Sequence, residues 1–445
     1  MDFQEIYNSK LCTPEEAVKL VRDGDWVDYS QTMSFPVALD RALAARRDEL
    51  CDINVRGAIS MYPVQIVEQD PEGKTFTYNP WHCSGLDRKY IDMGCAFFTP
   101  MLFRHCGRYY QRGYAKADVV MITVAPMDRH GYFNFGLTNC AQQELIEAAD
   151  RVIVEVNPNM PYICGLEADS IHVSEVDAIV ENDSPFAHSK PVSVSDIDRQ
   201  IAENIFPYLE DGMTLQLGIG GMPNALGNLI AESDLCDLGM HTELMSDGYL
   251  TLYRAGKITN RRKELNRGKG IFGICNGSQE LYDFLDHNIS VMSAPMRYIN
   301  DPAVIRQFSK FVSINGCIAF DLYGQVCSET AGLRQISGTG GQVDFVTGAF
   351  ESEHGKAFLA TASTFTDKNG VKYSNILPYF TRGDVITTPR AQAPYMVTEY
   401  GAVNLSGLTT WQRAEAIISI AHPDFRDELI ASAEKQKIWR NSNKR

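Results

Sequence analysis

Short apolar runs alternate with amphipathic segments along most of this chain. Between many of the runs, apolar residues recur at three- and four-residue spacing, which is typical of a helix that covers one face of a sheet. Runs of strand length that are separated by helices predict an α/β fold with largely parallel sheets. The strand-like runs are residues 26–29, 119–124, 151–156, 214–217, 270–274, 310–314, 357–362 and 395–398.

Polar residues mark where several helices begin. Thr13 and Glu16 have the spacing of a capping box, in which each side chain accepts a hydrogen bond from the backbone N–H of the other residue. Pro14, between them, suits the first position of a helix because its φ angle is already helical. A second helix is expected over about residues 36–50, and Ser195 is the expected N-cap of a third.

The length of the chain favours more than one domain. A chain of 445 residues is too long for one ordinary hydrophobic core. The most linker-like segment is residues 181–191, which is polar and contains two prolines. We therefore predict two domains, residues 1–190 and 191–445, with the second carrying the candidate catalytic glutamate described below.

Composition and charge exclude several classes of protein. The formal net charge of −15 argues against a nucleic-acid partner, because phosphate backbones attract a basic surface. Eleven cysteines are scattered singly, without a Cys-x-x-Cys pair, which predicts a reduced protein with no disulfide frame and no zinc site. The chain has no apolar signal segment and no apolar run long enough to span a membrane. A cytoplasmic protein is therefore expected.

Two glycine-rich segments are candidate ligand loops. Residues 217–223 read Leu-Gly-Ile-Gly-Gly-Met-Pro and lie between a strand-like run and a helical segment, and residues 337–345 read Ser-Gly-Thr-Gly-Gly-Gln-Val-Asp-Phe. Such loops let backbone N–H groups approach a phosphate or an oxyanion closely. Tight turns without a ligand are the alternative for both. The first loop has Pro223 where the third glycine of a dinucleotide-binding pattern would stand, so NAD binding is not expected.

Glu243 is the carboxylate that stands out between these loops. An isolated carboxylate combined with two loops of backbone donors suits acyl transfer through a covalent glutamyl intermediate. A plain surface carboxylate is the alternative. The sequence His241-Thr242-Glu243 also resembles the His-x-Glu of zinc deaminases, but the Pro-Cys-x-x-Cys partner is absent. His130 and His422 have no matching Gly-x-Ser-x-Gly elbow, so a hydrolase triad is not supported.

Taken together, these motifs resemble the acetyl-CoA hydrolase/transferase family. The resemblance covers nearly the whole chain and is carried by residues 217–224, 238–248, 337–345 and 397–401, with 81–85 and 421–426 in support. It implies two similar open α/β domains with a CoA-transferase-like fold, which face each other across an active-site cleft. The motifs are specific to the family and much less specific to the acid that is transferred.

The resemblance also implies roles for individual residues. Glu243 matches the catalytic glutamate, Gly340 matches the loop that polarises the thioester carbonyl, and Asn315 matches a position that orients the glutamate or its adduct. Thr366 stands where some relatives carry a lysine that reaches CoA, with Lys368 nearby, so the sequence departs from the pattern there. The residues implied in CoA binding are Gly218, Gly220, Gly221, Met222, Pro223, Asn224, Gly341 and Thr366.

The function implied is CoA transfer from a short-chain acyl-CoA, first of all butyryl-CoA, to acetate by a ping-pong mechanism through a glutamyl–CoA thioester. CoA is then a substrate and part of the covalent intermediate, and no metal or permanently bound cofactor is needed. A small, mostly apolar acyl pocket is expected near residues 34–36 and Trp81-His82. The alternatives are a 4-hydroxybutyrate CoA-transferase, a short-chain acyl-CoA hydrolase and a non-catalytic nucleotide-binding protein. The resemblance also favours a homo-oligomer.

Overall fold

The structure is a computed structural model that describes residues 2–189 and 192–442. Its strands are β1 (Trp26–Gln31), β2 (Ile53–Ala58), β3 (Phe76–Pro80), β4 (Val119–Val124), β5 (Tyr132–Asn134), β6 (Arg151–Val156), β7 (Ser170–His172), β8 (Ala178–Glu181), β9 (Thr214–Leu217), β10 (Gly239–Met245), β11 (Gly270–Cys275), β12 (Val291–Ser293), β13 (Phe311–Gly316), β14 (Ala319–Asp321), β15 (Val326–Cys327), β16 (Thr330–Ala331), β17 (Arg334–Gln335), β18 (Lys356–Ala360), β19 (Thr364–Thr366), β20 (Lys372–Ser374), β21 (Ile376–Leu377), β22 (Tyr395–Thr398) and β23 (Gly401–Asn404).

Short helices connect these strands. They are α1 (Phe3–Lys10), α2 (Pro14–Ala17), α3 (Val37–Ala44), α4 (Gln65–Glu68), α5 (Gly85–Asp92), α6 (Cys106–Gln111), α7 (Gln142–Ala148), α8 (Asp196–Ile205), α9 (Gly221–Glu232), α10 (Asp247–Arg254), α11 (Gln279–Leu285), α12 (Met296–Ile299), α13 (Pro302–Ile305), α14 (Gln342–Glu351), α15 (Thr410–Ser419) and α16 (Pro423–Lys435). The capping box predicted at Thr13 and the N-cap predicted at Ser195 are both confirmed.

The chain divides into two compact units. The first contains Met1–Lys190, Thr242–Asp247 and Lys269–Asp301, and the second contains Pro191–His241, Gly248–Gly268 and Pro302–Arg445. Strand β10 is shared, because its last four residues group with the first unit and its start groups with the second. Glu243 therefore belongs to the first compact unit. The units are spatial groupings, so the predicted domains 1–190 and 191–445 stay a prediction; Lys190 and Pro191, at their boundary, lie outside the described residues.

A six-stranded sheet forms the centre of the first unit. Its strand order is β3-β2-β1-β4-β6-β8, and neighbouring strands pair in parallel. All six residues of β4 are buried, as expected of a central strand with both faces covered. The chain runs outward from β1 through β2 to β3 and then returns to β4 on the other side of β1. The topological switch point therefore lies between β1 and β4, and ligands of open α/β sheets bind at the carboxyl ends of the strands there.

The second unit contains a sheet with the strand order β10-β9-β13-β18-β22-β23. Strands β9, β10, β13, β18 and β22 pair in parallel, and β23 adds an antiparallel edge. The chain moves from β9 to β10 on one side and later returns to β13 on the other. This sheet thus has its own switch point, between β9 and β13.

The predicted α/β fold with largely parallel sheets is confirmed. The runs 119–124, 151–156, 214–217 and 395–398 coincide with β4, β6, β9 and β22. The predicted helix over about residues 36–50 is shorter, since it ends at Ala44. The linker predicted at 181–191 has no regular structure over residues 182–189, and its last two residues lie outside the described part of the chain.

Candidate active site

Glu243 lies on β10 and is half-buried. Its Oε2 atom accepts a hydrogen bond of 2.6 Å from Nδ2 of Asn300. Asn300 is fully buried and follows helix α12 as its C-cap residue. A hydrogen bond to a carboxylate is stronger than one between neutral groups, so this contact restrains the side chain of Glu243, the candidate nucleophile.

Helix α12, which carries Asn300, is held by two kinds of contact in the first unit. The backbone N–H of Met296 donates to the carbonyl oxygen of Cys140 at 2.8 Å. Arg297 donates from Nε to Oε1 of Glu144 and from Nη1 to Oε1 of Glu167, both at 2.5 Å. The Glu144 side chain is only 2% exposed, whereas that of Glu167 is 53% exposed. Of the two ion pairs that hold α12, the one with Glu144 is therefore the less exposed.

A buried thiol lies near Glu243. Nε2 of Gln31, at the end of β1, is 2.5 Å from Sγ of Cys140. Burial is the main cause that raises the pKa of Cys140 well above its ordinary value; a hydrogen bond with Cys106 and then the negative charge of Glu243 add to it. The thiol therefore stays protonated near neutral pH, and a protonated thiol is a poor nucleophile. Glu243 remains the candidate nucleophile of this region.

The first glycine loop lies at the switch point of the second unit. The backbone N–H of Gly218, directly after β9, donates to the carbonyl oxygen of Ile314 on β13 at 2.9 Å. Gly220 has a φ of +122° and is the N-cap of α9, a backbone conformation that strongly favours glycine. The side chains of Met222 and Pro223 are buried, so these two residues have only their backbone to offer a ligand.

Asn315 stands at the same edge of the second sheet, near the carboxyl end of β13. Its Nδ2 atom donates to Oγ of Ser313 at 3.3 Å, and that hydroxyl donates to Oε1 of Gln216 at 2.9 Å. Only 8% of Asn315 is exposed. The amide that contacts Glu243 is that of Asn300, and the orienting role predicted for Asn315 stays a prediction.

The second glycine loop leads into α14. Gly340 has a φ of +54°, and Gly341 is the N-cap of the helix. Helix α14 packs on β13 and β18, which are parallel neighbours, and precedes β18 in the chain. A crossover helix of this kind begins at the edge where the carboxyl end of the preceding strand lies. The topology therefore brings Gly340 and Gly341 to the same edge as Gly218 and Asn315.

Thr366 lies in the hairpin formed by β19 and β20, a two-stranded sheet of its own. It pairs with Lys372 across the hairpin, and both residues are exposed. Lys368, on the connection between the two strands, is exposed as well. The structure thus gathers the predicted residues into two groups: Glu243 in the first unit, and the two glycine loops with Asn315 and Thr366 in the second.

Asn300 is the residue that sequence reasoning missed. It stands in Tyr298-Ile299-Asn300-Asp301-Pro302, where an asparagine followed by Asp-Pro is an ordinary helix ending. Nothing in that pattern distinguishes a ligand of the glutamate from a turn residue. The available signal for a site residue is that Asn300 closely follows β12, a strand that pairs in parallel with β11.

Two kinds of site are not found. Residues 2–189 and 192–442 contain no group of three or more His, Cys, Asp or Glu placed to hold a metal ion. Within the described residues, no helix combines the length and the apolar composition that crossing a bilayer requires.

Comparison with known proteins agrees with the resemblance read from the sequence. The N-terminal domain of the acetyl-CoA hydrolase/transferase family matches residues 1–188, and its C-terminal domain matches residues 277–433. A butyryl-CoA:acetate CoA-transferase of Anaerostipes caccae is 48% identical over 446 aligned residues, which cover 100% of both chains.

Two solved structures are similar along nearly the whole chain. The crystal structure of RipA from Yersinia pestis superposes with a TM-score of 0.91 at 36% identity, covering 98% of this chain and 100% of that one. A 4-hydroxybutyrate CoA-transferase from Porphyromonas gingivalis superposes with a TM-score of 0.80 at 32% identity, with the same coverage. The family predicted from the motifs is therefore confirmed: the chain belongs to the acetyl-CoA hydrolase/transferase family and is an enzyme, a CoA-transferase.

Proposed function

We propose that this enzyme transfers CoA from butyryl-CoA to acetate through a covalent glutamyl–CoA thioester on Glu243. The observation that carries the proposal is the geometry of that carboxylate. One oxygen of Glu243 is held at 2.6 Å by the amide of the buried Asn300, and the side chain itself is half-buried on β10. A restrained carboxylate keeps its attacking oxygen in one place, which favours nucleophilic catalysis.

The identity of the acid rests on the relatives. The Anaerostipes caccae enzyme, which is named for butyryl-CoA and acetate, aligns with the present chain from end to end. A second relative, from Syntrophomonas wolfei, is 45% identical and carries a similar name, probable butyrate:acetyl-CoA coenzyme A-transferase. Both names support short, unbranched monocarboxylates as substrates.

The proposed reaction runs in two halves. In the first, an oxygen of Glu243 attacks the carbonyl carbon of butyryl-CoA, the C–S bond breaks, and CoA leaves as a thiolate. The thiolate then attacks the carbonyl carbon of Glu243 in the mixed anhydride, which releases butyrate and forms the glutamyl–CoA thioester. In the second half, acetate attacks that thioester, and the returning thiolate takes the acetyl group. The products are butyrate and acetyl-CoA, and Glu243 is regenerated.

The loops of the second unit supply the remaining roles in this proposal. The backbone N–H groups at Gly340 and Gly341 stabilise the negative charge that develops on the thioester oxygen, as oxyanion-hole donors do. The segment from Gly218 to Asn224 binds CoA at the start of α9, where the backbone N–H groups of Gly220, Gly221 and Met222 are the donors. Pro223 has no N–H, and those of Gly218 and Asn224 donate to the carbonyl oxygens of Ile314 and Gly220. Asn315 orients the adduct, and Thr366 contributes to CoA binding from its hairpin. The position of the two glycine loops and Asn315 at the carboxyl edge of one sheet supports their assignments, whereas Thr366 lies in a separate two-stranded sheet.

We also propose that the enzyme acts in the cytoplasm as a homo-oligomer. All eleven cysteines are unpaired, which is typical of a reducing compartment. CoA serves as substrate and as part of the covalent intermediate, and no further cofactor is invoked.

A CoA-exchange assay tests the proposed function. Purified enzyme is incubated with butyryl-CoA and isotope-labelled acetate, and the acyl-CoA species are separated and quantified over time. The proposal predicts labelled acetyl-CoA, butyrate in equal amount, and parallel double-reciprocal plots that are characteristic of a ping-pong mechanism. Release of free CoA without labelled acetyl-CoA would instead identify a hydrolase, and no turnover of any acyl-CoA would support a binding protein.

Exchange from 4-hydroxybutyryl-CoA is the second candidate function. The similarity of the Porphyromonas gingivalis structure, which is named for 4-hydroxybutyrate, supports it. Measuring 4-hydroxybutyryl-CoA beside butyryl-CoA in the same assay separates the two candidates. A kcat/KM for 4-hydroxybutyryl-CoA about tenfold or more above that for butyryl-CoA would reverse the order of the two candidates. The two donors differ by a terminal hydroxyl group, and a hydroxyl group raises specificity strongly only where it finds a buried hydrogen-bonding partner.

A further inference from the structure

Lys263 is a buried lysine of the second unit, in the segment between α10 and β11. Only 1% of the residue is exposed. A protonated amine loses its hydration when it is buried, and burial lowers the pKa of Lys263 to about 7. Lysine is seldom buried to this extent, because the loss of hydration lowers the stability of the folded protein. Residues that lower stability are typical of positions that function requires.

The amine of Lys263 holds the start of strand β10. Its Nζ atom donates to the carbonyl oxygen of Met240 at 2.8 Å. The backbone N–H of Met240 donates to Oδ1 of Asn260 at 2.8 Å, and Nδ2 of Asn260 donates to the hydroxyl of Tyr253 on α10 at 3.0 Å. Both backbone groups of Met240 are therefore bound by side chains of one short segment, residues 260–263.

These two side chains act where a neighbouring strand would otherwise pair. Strand β10 pairs in parallel with β9 at Gly239 and Met240, and the N–H of Gly239 donates to the carbonyl oxygen of Met213 at 2.8 Å. Successive residues of a strand direct their backbone groups to opposite edges. Met240 therefore directs its N–H and its carbonyl oxygen away from β9, where Asn260 and Lys263 satisfy them.

The stem of Lys263 is packed tightly against the strand. A Cβ atom at position 239 would lie 2.7 Å from Cγ and 3.0 Å from Cδ of Lys263, so the stem lies on the bare backbone of Gly239. At the end of the side chain, Nζ is 5.7 Å from the ring centroid of Phe308, a distance at which a cation is attracted to the face of an aromatic ring. The amine therefore has little freedom to leave the carbonyl oxygen of Met240.

Glu243 follows Met240 by three residues on the same strand. Three residues of extended chain span about 10 Å, so a backbone that is fixed at Met240 sets how far along the strand Glu243 stands. The hydrogen bond from Asn300 restrains the carboxylate but not the backbone that carries it. Placement matters for the rate, since a shift of about 1 Å in a reacting group can lower the rate about 10²-fold.

We propose that Lys263 is a positioning residue, whose amine fixes the backbone of β10 at Met240 and thereby the place from which Glu243 attacks the thioester. This inference rests on the proposed function of Glu243 and deepens it. It also accounts for an amine at a buried position. An apolar side chain of the same length would leave the carbonyl oxygen of Met240 without this donor, although it would remove the unfavourable burial of a charge.

Lys263→Met tests the proposal, because methionine retains an unbranched apolar stem but has no donor. Gly239→Ala is a second variant that keeps the amine, and its added methyl group displaces the stem. Lys257→Met is the matched control: Lys257 lies in the same unit, and its Nζ also donates to a backbone carbonyl, that of Ser233 directly after α9. Steady-state CoA exchange, the rate of glutamyl–CoA adduct formation in a single turnover, and urea unfolding at pH 6 are measured.

We expect Lys263→Met to lower kcat and the rate of adduct formation about tenfold or more, with each KM changed by less than about threefold. Its urea midpoint at pH 6 should lie above that of the wild type, because the buried charge is gone. Gly239→Ala should also lower kcat, and Lys257→Met should leave kcat and KM unchanged. A lysine that only stabilises the fold would not combine a lower kcat with a higher midpoint.

A kcat within about twofold of wild type in both Lys263→Met and Gly239→Ala overturns the proposal, since a misplaced nucleophile lowers kcat. A fall in kcat that is accompanied by a lower urea midpoint in Lys263→Met, or that appears equally in Lys257→Met, overturns it as well. In each of these cases the exchange function stands. If the wild-type enzyme forms no adduct on Glu243, the proposed function itself fails.

Discussion

Nδ2 of Asn300 donates a 2.6 Å hydrogen bond to Oε2 of Glu243, although 57 residues separate the two in sequence. The bond connects a helix end, held by buried contacts, with a carboxylate on β10. The donor is a neutral amide, so it restrains the Glu243 side chain without neutralising the negative charge that nucleophilic attack requires. The relationship leads to a prediction about Asn300 itself and to another about the residues that hold its helix.

Asn300→Ala should lower kcat about 10- to 100-fold and change KM little. The variant removes a hydrogen bond to a charged group, worth about 1.5–3 kcal/mol, but leaves the carboxylate in place. The measurement is steady-state CoA exchange together with the rate at which the glutamyl–CoA adduct forms in a single turnover. Asn159→Ala, at an exposed site in the same unit, is the control. Unchanged adduct formation would show that the contact does not position the nucleophile.

Glu144→Gln and Glu167→Gln should differ in effect although both carboxylates bind Arg297. Glu144 is buried, so loss of its charge should destabilise the protein by about 1–3 kcal/mol and lower kcat through a shift of α12. Glu167 is exposed, and its replacement should cost less than about 1 kcal/mol. Urea unfolding and CoA exchange are measured on both variants. Equal losses of stability and activity in the two variants would mean that burial does not decide how much each ion pair of Arg297 contributes.

Gly340→Val should lower turnover about 10²-fold, the usual cost of one lost oxyanion donor. Valine is strained at a φ of +54°, so the backbone N–H groups of the loop should shift. Gly332→Val controls for strain alone, since Gly332 has a φ of +60° in the turn between β16 and β17. If a folded Gly340→Val enzyme exchanges CoA at the wild-type rate, the loop is only a structural turn.

The stability conferred by Lys263→Met should depend on pH. Burial lowers the pKa of Lys263 from 10.5 to about 7, and its Nζ donates to the carbonyl oxygen of Met240 at 2.8 Å. Below pH 7 the amine is protonated in both the folded and the unfolded protein, so the folded protein bears the full cost of burying its charge. Between pH 7 and 10.5 the unfolded state binds more protons than the native state, and stability therefore rises with pH.

Lys263→Met removes that titration. Relative to wild type, the variant should be more stabilising at pH 6 than at pH 10, by about 4 kcal/mol, since one pKa unit corresponds to about 1.4 kcal/mol. Urea unfolding at pH 6, 8 and 10 measures the difference, with Lys435→Met, at an exposed position of α16, as control. The same difference at all three pH values would show that the amine does not titrate in this range.

The fold was predictable because several of its central strands are mainly apolar. The run 119–124 is buried at every position, so its residues show the strand without ambiguity. Strand β10 was missed, since His241, Thr242 and Glu243 interrupt its apolar pattern. Polar residues within a strand thus conceal it when strands are sought as apolar runs.

The candidate site was predictable only in part. Glycine-rich composition points to the loops at Gly218 and Gly340 because few other residues adopt such a backbone. Asn300 shows no comparable signal: it is an ordinary polar residue whose partner, Glu243, is distant in sequence. The two residues meet because the fold places the ends of separate elements together, and no local pattern encodes that arrangement.

Glu243→Gln should lower kcat/KM on the order of 10³-fold or more, because glutamine has the shape of the side chain but no anionic nucleophile. Freshly purified protein is needed, since slow deamidation would restore glutamate. Glu203→Gln, at an exposed position of α8, is the control. Near-normal exchange by the Glu243→Gln variant would show that Glu243 is not the nucleophile.

Trapping the covalent intermediate tests the central claim most directly. The enzyme is incubated with butyryl-CoA, reduced with borohydride, digested and analysed by peptide mass spectrometry. The account predicts that the carboxyl group of Glu243 is reduced to a primary alcohol in the wild-type protein, only when acyl-CoA is present, and that the Glu243→Gln variant is unmodified. Reduction at a different carboxylate, or rapid CoA exchange with no reducible adduct on Glu243, would contradict it.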